Sequence, residues 1–238
     1  MTDVPIRALT LDLDDTLWPI WPAIERAEAA LHDWLAQHAP ATAATYPLMA
    51  MRELRDRIAA ENPALAHDFS AQRRLSLEHA LRDCDDDASC AQAAFDVFYA
   101  ARNRVDLYED TIEGLQRLAQ RFPLAALTNG NADLRAIGLH QHFVFQLGAR
   151  EHGAAKPDPG IFHAACERLG CAPDEVLHIG DDPELDVLGA HRAGLRTVWI
   201  NRRDETWPHP EQPDFIAPDL HALADWLDVL QPPDATPA

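Results

Sequence analysis

With 238 residues, 47% hydrophobic and 25% charged, the chain has the size and composition of one large or two small globular domains with a real core. Its 39 acidic residues outnumber 20 basic ones, for a net charge of −19; a nucleic-acid or anionic-membrane binder would need a basic face, so the overall field argues against both. No apolar run reaches transmembrane length, Met1-Thr2-Asp3-Val4-Pro5 is not a basic-then-apolar leader, and the four cysteines show neither CxxC nor zinc spacing, which points to idle thiols in a reducing cytoplasm.

In chain order, residues 6–12 read as a buried strand. Helical spacing then runs through 22–38, 47–60, 70–83 and 90–103, broken near Pro40, Pro47, Pro63 and the acidic Asp85-Asp86-Asp87, which reads as a solvated loop. After Val105 the rhythm changes to a helix near 110–121, a strand at 124–127, a helix near 132–139 and a strand near 143–147. Next come a helix at 159–169, a strand at 176–179, a helix at 184–193 and a strand at 197–200. A short strand near 214–216 and a helix at 219–230 close the pattern, and the end from Pro232 is expected to fray. Strands alternating with helices predict a parallel sheet covered on both faces, with the helical block inserted into its first crossover. The expected division is a core of 1–17 and 105–231, a helical cap of 18–104 and a tail of 232–238.

Such sheets bind ligands at the carboxyl ends of their strands. Strand one ends in Asp12-Leu13-Asp14-Asp15-Thr16, with two carboxylates two residues apart. On an extended chain Asp12 and Asp14 face the same way, and crowded carboxylates favour a bound divalent cation. The strand at 124–127 runs into Thr128-Asn129-Gly130-Asn131, and the strand at 176–179 into Gly180-Asp181-Asp182 with Asp186 beyond. Lys156, in Ala155-Lys156-Pro157-Asp158, is the only lysine among the 20 basic residues. Arginine is a broad planar fork and lysine a compact charge, so one lysine kept among arginines suits a site needing a point cation. The twelve histidines are scattered and read as surface or core filling.

Carboxylates, a hydroxyl, an amide and one ammonium at neighbouring strand ends suit phosphoryl transfer to an aspartate. Magnesium held by carboxylates neutralises phosphoryl oxygens, and Thr128, the Asn129 amide and Lys156 supply donors and charge to the same oxygens. One carboxylate attacks phosphorus; the other protonates the leaving alkoxide and then deprotonates water.

These residues resemble the haloacid dehalogenase superfamily, in which DLDDT is similar to the first motif, TNGN to the second, the Lys156 loop to the third and GDDPELD to the fourth. The resemblance implies a Rossmann-like α/β core with a helical cap inserted after the first motif. It implies Asp12 as nucleophile and Asp14 as general acid and base. Magnesium would lie on the Asp12 carboxylate, the Asp14 carbonyl and Asp181, and Thr128 and Lys156 would hold the phosphoryl group. Asp182 and Asp186 would support the metal or Lys156. Asp15 stands where many relatives have glycine. The dehalogenases lack an acid at the position of Asp14, so its presence implies a phosphatase. LDLDDTLWP, TNGNA, KPDP and GDDPELDVLGA are similar to the bacterial flavin-pathway phosphatases, which act on FMN or a phosphorylated ribitylamino-uracil. His67-Asp68-Phe69-Ser70 with Arg73 is similar to the cap of that group, which makes Arg73 a candidate substrate contact. Arg74 reads as a surface ion pair, and Trp18 and Trp21 as core packing rather than stacking surfaces.

The expected partner is a small phosphate ester. A phosphomutase, a sugar or nucleotide phosphatase, and a non-enzymatic binding protein on this fold are the alternatives.

Overall fold

The computed structural model describes residues 4–232. The tail expected from Pro232 lies, from residue 233 onward, outside the described residues. Strand β1 (Ala8–Leu11) is followed by helices α1 (Ile20–His38), α2 (Pro40–Thr45), α3 (Leu48–Glu61), α4 (Phe69–Asp83) and α5 (Ala91–Arg102). Then come α6 (Thr111–Ala119), β2 (Leu124–Thr128), α7 (Leu134–Ile137), β3 (Phe145–Gly148), α8 (Ala149–His152) and α9 (Pro159–Leu169). The chain continues through β4 (Val176–Gly180), a wide π-type turn at Pro183–Leu188, α10 (Gly189–Arg192), β5 (Arg196–Ile200), β6 (Phe215–Ala217) and α11 (Leu220–Leu230).

Two compact units result. Of the described residues, one comprises those up to Trp18, Leu107–Gly130 and those from Gly138 on; the other comprises Pro19–Asp106 and Asn131–Ile137. The first is an α/β unit whose six strands form one parallel sheet in the order β3-β2-β1-β4-β5-β6. Leu9 of β1 pairs with Leu124 on one side and Leu177 on the other. Every residue of β1, β2, β4 and β5 is buried, as the near-continuous apolar runs require of a sheet covered on both faces. Strand order reverses between β1 and β4, so the crevice of this sheet opens at their carboxyl ends.

Polar side chains and glycines set the helix ends. Asp158 caps α9 by accepting from Gly160 N at 2.8 Å, with Pro159 in the first turn. Asp219 caps α11 through Ala222 N at 2.8 Å. The helix expected at 184–193 begins instead as the wide turn, with Asp182 accepting from Glu184 N and Leu185 N at 2.8 Å each. Such wide turns recur at functional sites, and this one carries Asp186.

The helical unit packs α1, α3, α4 and α5 around Leu31, Leu35, Leu54, Leu77, Leu81, Phe95 and Phe98. Asp68 caps α4 through Ala71 N at 2.8 Å. The acidic run is more than a solvated loop, because Asp86 accepts from Thr42 N and Oγ1 at 2.8 and 2.7 Å and so anchors α2. Segment 131–137 joins this unit through side chains: Arg102 Nε donates to Asn131 Oδ1 at 3.0 Å, Asn131 Nδ2 to Ser70 Oγ at 3.1 Å, and Asp133 N to Asn103 Oδ1 at 2.8 Å. The second motif is therefore divided, with Thr128–Gly130 in the α/β unit and Asn131 in the helical one.

Candidate active site

The first strand end is fixed by a tight loop. Asp12 N donates to Ile179 O at 2.9 Å, which carries the β1–β4 pairing one residue past the strand. The chain stays extended only to Asp14, then turns so that Leu17 N meets Leu13 O at 2.8 Å and Asp15 N meets Trp18 O at 2.7 Å. The turn needs a left-handed residue, and Asp15 supplies it with φ 58°. Glycine is the easy choice there and aspartate one of the few tolerated alternatives, which accounts for both residue types at this place. Trp18 is fully buried, as expected, and its indole N–H donates to Asp14 Oδ1 at 2.8 Å. Thr16, inside the first motif, donates its hydroxyl to Asp181 Oδ1 at 2.9 Å.

Behind the loop, Arg202 donates to Thr16 O at 3.2 and 2.8 Å and grips Asp110 with two bonds of 2.9 Å. Asp110 also accepts from Leu220 N at 2.8 Å. Arg202 thus ties the motif loop to the starts of α6 and α11. No local motif marks that pair, and sequence reading misses it.

At the end of β2, Thr128 is buried and its hydroxyl accepts from Gly130 N at 3.0 Å, an ordinary hydroxyl-stabilised turn. The Asn129 side chain differs from its expected use. Its Oδ1 accepts from Lys156 N at 2.7 Å and its Nδ2 donates to Lys156 O at 2.9 Å. The amide that sequence reading directs at phosphoryl oxygens instead holds the Lys156 backbone at both ends.

The Lys156 ammonium lies 2.5 Å from Asp12 Oδ1 and 2.5 Å from Asp186 Oδ1. Asp186 also accepts from Asp182 N at 3.1 Å and lies 3.0 Å from His178 Nε2, whose Nδ1 is 2.8 Å from Thr10 Oγ1. His178 is therefore more than core filling: a buried line runs Thr10, His178, Asp186, Lys156, Asp12. A lone histidine in an apolar strand gives no sequence signal for this. Gly180 makes the approach possible, because a Cβ there would lie 2.2 Å from Asp186 Cγ.

Oxygens of Asp12, Asp181 and Asp186 lie within 4.8 Å of one another. Burial raises the Asp12 pKa well above its usual value; Lys156 opposes this and the charges of Asp186 and Asp181 add to it. Burial and Asp186 push Asp181 up to about 7, against the Thr16 hydrogen bond. Burial also works against ionised Asp186, but the charge of Lys156 and the His178 bond hold its pKa below the usual range. Lys156 is held above its usual value by the two carboxylates, despite its burial. Burial pushes His178 down, towards the neutral form. One ammonium thus faces two buried carboxylates and the half-buried Asp181, and the two left under-neutralised, Asp12 and Asp181, are oxygen donors of the kind a hard divalent cation takes. Asp186, already met by Lys156, His178 and Asp182 N, fits better as the holder of Lys156.

A cavity of about 330 Å3 in the same unit is lined by Asp15, Tyr108, Asp181, Asp182, Trp199 and Arg202, among others. Trp199 donates its indole N–H to Asp181 O at 2.8 Å.

In the helical unit, Arg73 is buried with its guanidinium 3.6 Å from the centre of the Phe98 ring. Arg74 has no ion pair among the described residues and lies over Phe95 at 5.1 Å. Trp21, expected in the core, is 60% exposed.

A family model described as haloacid dehalogenase-like hydrolase matches residues 6–194. The chain is 35% identical to 5-amino-6-(5-phospho-D-ribitylamino)uracil phosphatase YigB of Escherichia coli, over 87% of this chain and 92% of that one. It is 36% identical to phosphoserine phosphatase of Thermus thermophilus, over 66% of this chain and 64% of that one. The crystal structure of 2-haloacid dehalogenase from Pseudomonas syringae pv. Tomato DC3000 shares 40% identity and superimposes with a TM-score of 0.87, covering 93% of this chain and 99% of that chain.

Proposed function

This chain belongs to the haloacid dehalogenase-like hydrolases, and on that footing we propose that it hydrolyses a small phosphate monoester through a phosphoryl-aspartate on Asp12. The observation that carries the reading is Asp14. A second carboxylate follows the nucleophile position and is held by the Trp18 indole at 2.8 Å. A carbon–halogen bond breaks without a proton, whereas an alkoxide leaving group needs one.

In the first half-reaction an Asp12 carboxylate oxygen bonds to phosphorus as the ester P–O bond breaks. Protonated Asp14 passes its proton to the departing alkoxide. In the second, Asp14 takes a proton from water, the water oxygen bonds to phosphorus, and the P–O bond to Asp12 breaks to release phosphate. Lys156 meets phosphoryl charge with its ammonium, Thr128 offers its hydroxyl, and Asn129 sets the Lys156 backbone. The Asp12 and Asp181 carboxylates with the Asp14 carbonyl would hold magnesium, which would screen the phosphoryl oxygens from the attacking carboxylate. Asp182 and Asp186 support this set as turn cap and lysine holder.

For substrate we propose FMN or a phosphorylated ribitylamino-uracil, supported by the 35% identity to an enzyme named for that uracil ester. We place the reaction in the cytoplasm; all four cysteines are free, and no helix of the described residues is long and apolar enough to cross a membrane.

The test is product release from wild type, Asp12→Asn and Asp14→Asn, with magnesium or after exhaustive chelation. FMN, the uracil ester, phosphoserine and a 2-haloacid serve as substrates. Phosphate release in wild type alone is expected, falling on the order of 10⁴-fold or more in Asp12→Asn. Halide release from the haloacid, or full activity in Asp14→Asn, would overturn the phosphatase reading. Phosphate returned to another position of the substrate would favour a mutase, and no turnover of any ester a binding protein.

A further inference from the structure

His178 is a buried titratable group to which the proposed chemistry gives no task. It sits in the middle of β4, 1% exposed, on a strand whose other side chains are apolar. Burying a polar ring costs free energy unless its nitrogens are met. Both are: Nε2 lies 3.0 Å from Asp186 Oδ1, and Nδ1 lies 2.8 Å from Thr10 Oγ1. The Phe162 ring stands edge-on to the imidazole, centre to centre 5.1 Å.

The tautomer follows from the partners. Against its burial, the charge of Lys156 and the His178 bond hold Asp186 ionised, and an ionised carboxylate only accepts. Nε2 therefore carries the hydrogen. Burial keeps the ring neutral, so Nδ1 is an acceptor and the Thr10 hydroxyl donates to it. Each end of the imidazole has one defined role.

Those roles converge on Asp186. Its Oδ1 receives Lys156 Nζ at 2.5 Å and His178 Nε2 at 3.0 Å, and its Oδ2 receives Asp182 N at 3.1 Å. Donors on both oxygens fix the plane of the carboxylate. Lysine is a point charge on a flexible stem, so its aim is set by where the carboxylates around it stand. Here the ammonium points from Asp186 to Asp12 Oδ1, 2.5 Å away.

Thr197 supplies a contrast within the same sheet. It is the register partner of His178 on β5, as Thr10 is on β1. Its buried hydroxyl nevertheless has no hydrogen-bond partner among the described residues. Two threonines flank one histidine, and Thr10 is the one engaged.

We propose that His178 is a positioning residue for phosphoryl binding: its Nε2–H fixes Asp186, and Asp186 so fixed aims the Lys156 ammonium at Asp12 and the phosphoryl oxygens beside it. This role rests on the proposed function only in taking Lys156 to meet phosphoryl charge; the tautomer and the hold on Asp186 do not depend on it.

The experiment titrates the full chain, with magnesium supplied, with inorganic phosphate in a calorimeter. A glutamine amide can place a donor where His178 Nε2 stands, whereas an asparagine amide reaches only the Nδ1 side. His178→Asn should weaken phosphate about tenfold or more, and His178→Gln should stay within about threefold of wild type. Thr197→Val removes the unengaged hydroxyl beside the same ring and should leave phosphate affinity unchanged. A second readout needs no variant to fold. Two-bond proton–nitrogen spectra of wild type labelled at its histidines should show His178, assigned by its cross-peaks to Phe162, as a neutral Nε2–H ring at neutral pH. An imidazolium or an Nδ1–H ring, phosphate affinity in His178→Asn equal to wild type, or equal losses in His178→Gln and His178→Asn would each overturn the proposal. Any of these in a wild type that releases phosphate from esters overturns this role alone. A wild type that neither binds phosphate nor releases it from any ester overturns the phosphatase reading and this role with it.

Discussion

The strand-end cluster of the α/β unit and the core of the helical unit treat buried charge in different ways. In the first, Lys156 touches Asp12 and Asp186, Asp186 touches His178, and Thr16 touches Asp181. In the second, Arg73 is nearly as buried but its guanidinium makes no hydrogen bond among the described residues, only an ion pair with Glu28 at 3.9 Å and a stack on Phe98 at 3.6 Å. Removing one member of a tightly held buried set leaves the others uncompensated, whereas a loosely held buried cation costs less to remove. The contrast is between a closely and a loosely neutralised buried cation.

Four expected outcomes break or sharpen that contrast. The largest is Lys156→Met. Removing the cation leaves Asp12 and Asp186 buried without it, and breaking such a pair costs about 3–5 kcal/mol. Calorimetry should show a Tm fall on the order of 10 °C, against a smaller one for Arg73→Met; equal effects of the two would dissolve the contrast. Next is Gly180→Ala, whose Cβ would lie 2.2 Å from Asp186 Cγ. The displaced carboxylate should cost about 1–3 kcal/mol and most of the activity, so an alanine variant with wild-type kcat would deny Asp186 its positioning role. Thr10→Val is smaller, leaving His178 Nδ1 without its buried partner for about 1–2 kcal/mol of unfolding free energy in urea melts.

The smallest effect concerns acid. Burial works to raise the Asp110 pKa, but Arg202 and the Leu220 N–H bring it below the ordinary 3.8. Unfolded Asp110 therefore takes up a proton at a higher pH than folded Asp110 does. The stability it contributes is complete above that ordinary value and fades as pH falls through the lowered folded one. Asp110→Asn should flatten this part of the acid unfolding curve; an unchanged slope would remove the Arg202–Asp110 grip from the stability of the motif loop.

Much of the α/β unit is legible in the sequence because its strands are buried on both faces. Ala8–Leu11, Leu124–Thr128 and Val176–Gly180 read as short unbroken apolar runs, so the residues just past them stand out. That is why Asp12 and Asp186 are found before their contacts are seen, whereas Lys156 is found as the only lysine of the sequence. Asn129 is found too, but its task is not, since an amide clamp on a distant backbone depends on how two loops meet. His178 and the Arg202–Asp110 pair carry no local pattern. In the helical unit, periodicity gives the helices but not their faces: Trp21 on α1 looks like core until the packing leaves it exposed. The grouping of 131–137 with the helices rests on Asn103, Arg102 and Ser70, polar contacts that hydrophobic spacing does not report.

Lys156 has one more consequence, outside catalysis. It is the only lysine of the sequence, 3% exposed, with its ammonium between two carboxylates. The folded surface therefore offers no side-chain amine to acylating dyes, aldehyde cross-linkers or enzymes that build isopeptide bonds. Any reagent that does acylate Lys156 has found the molecule open, so the extent of its labelling over time is a clock for how often this core comes apart.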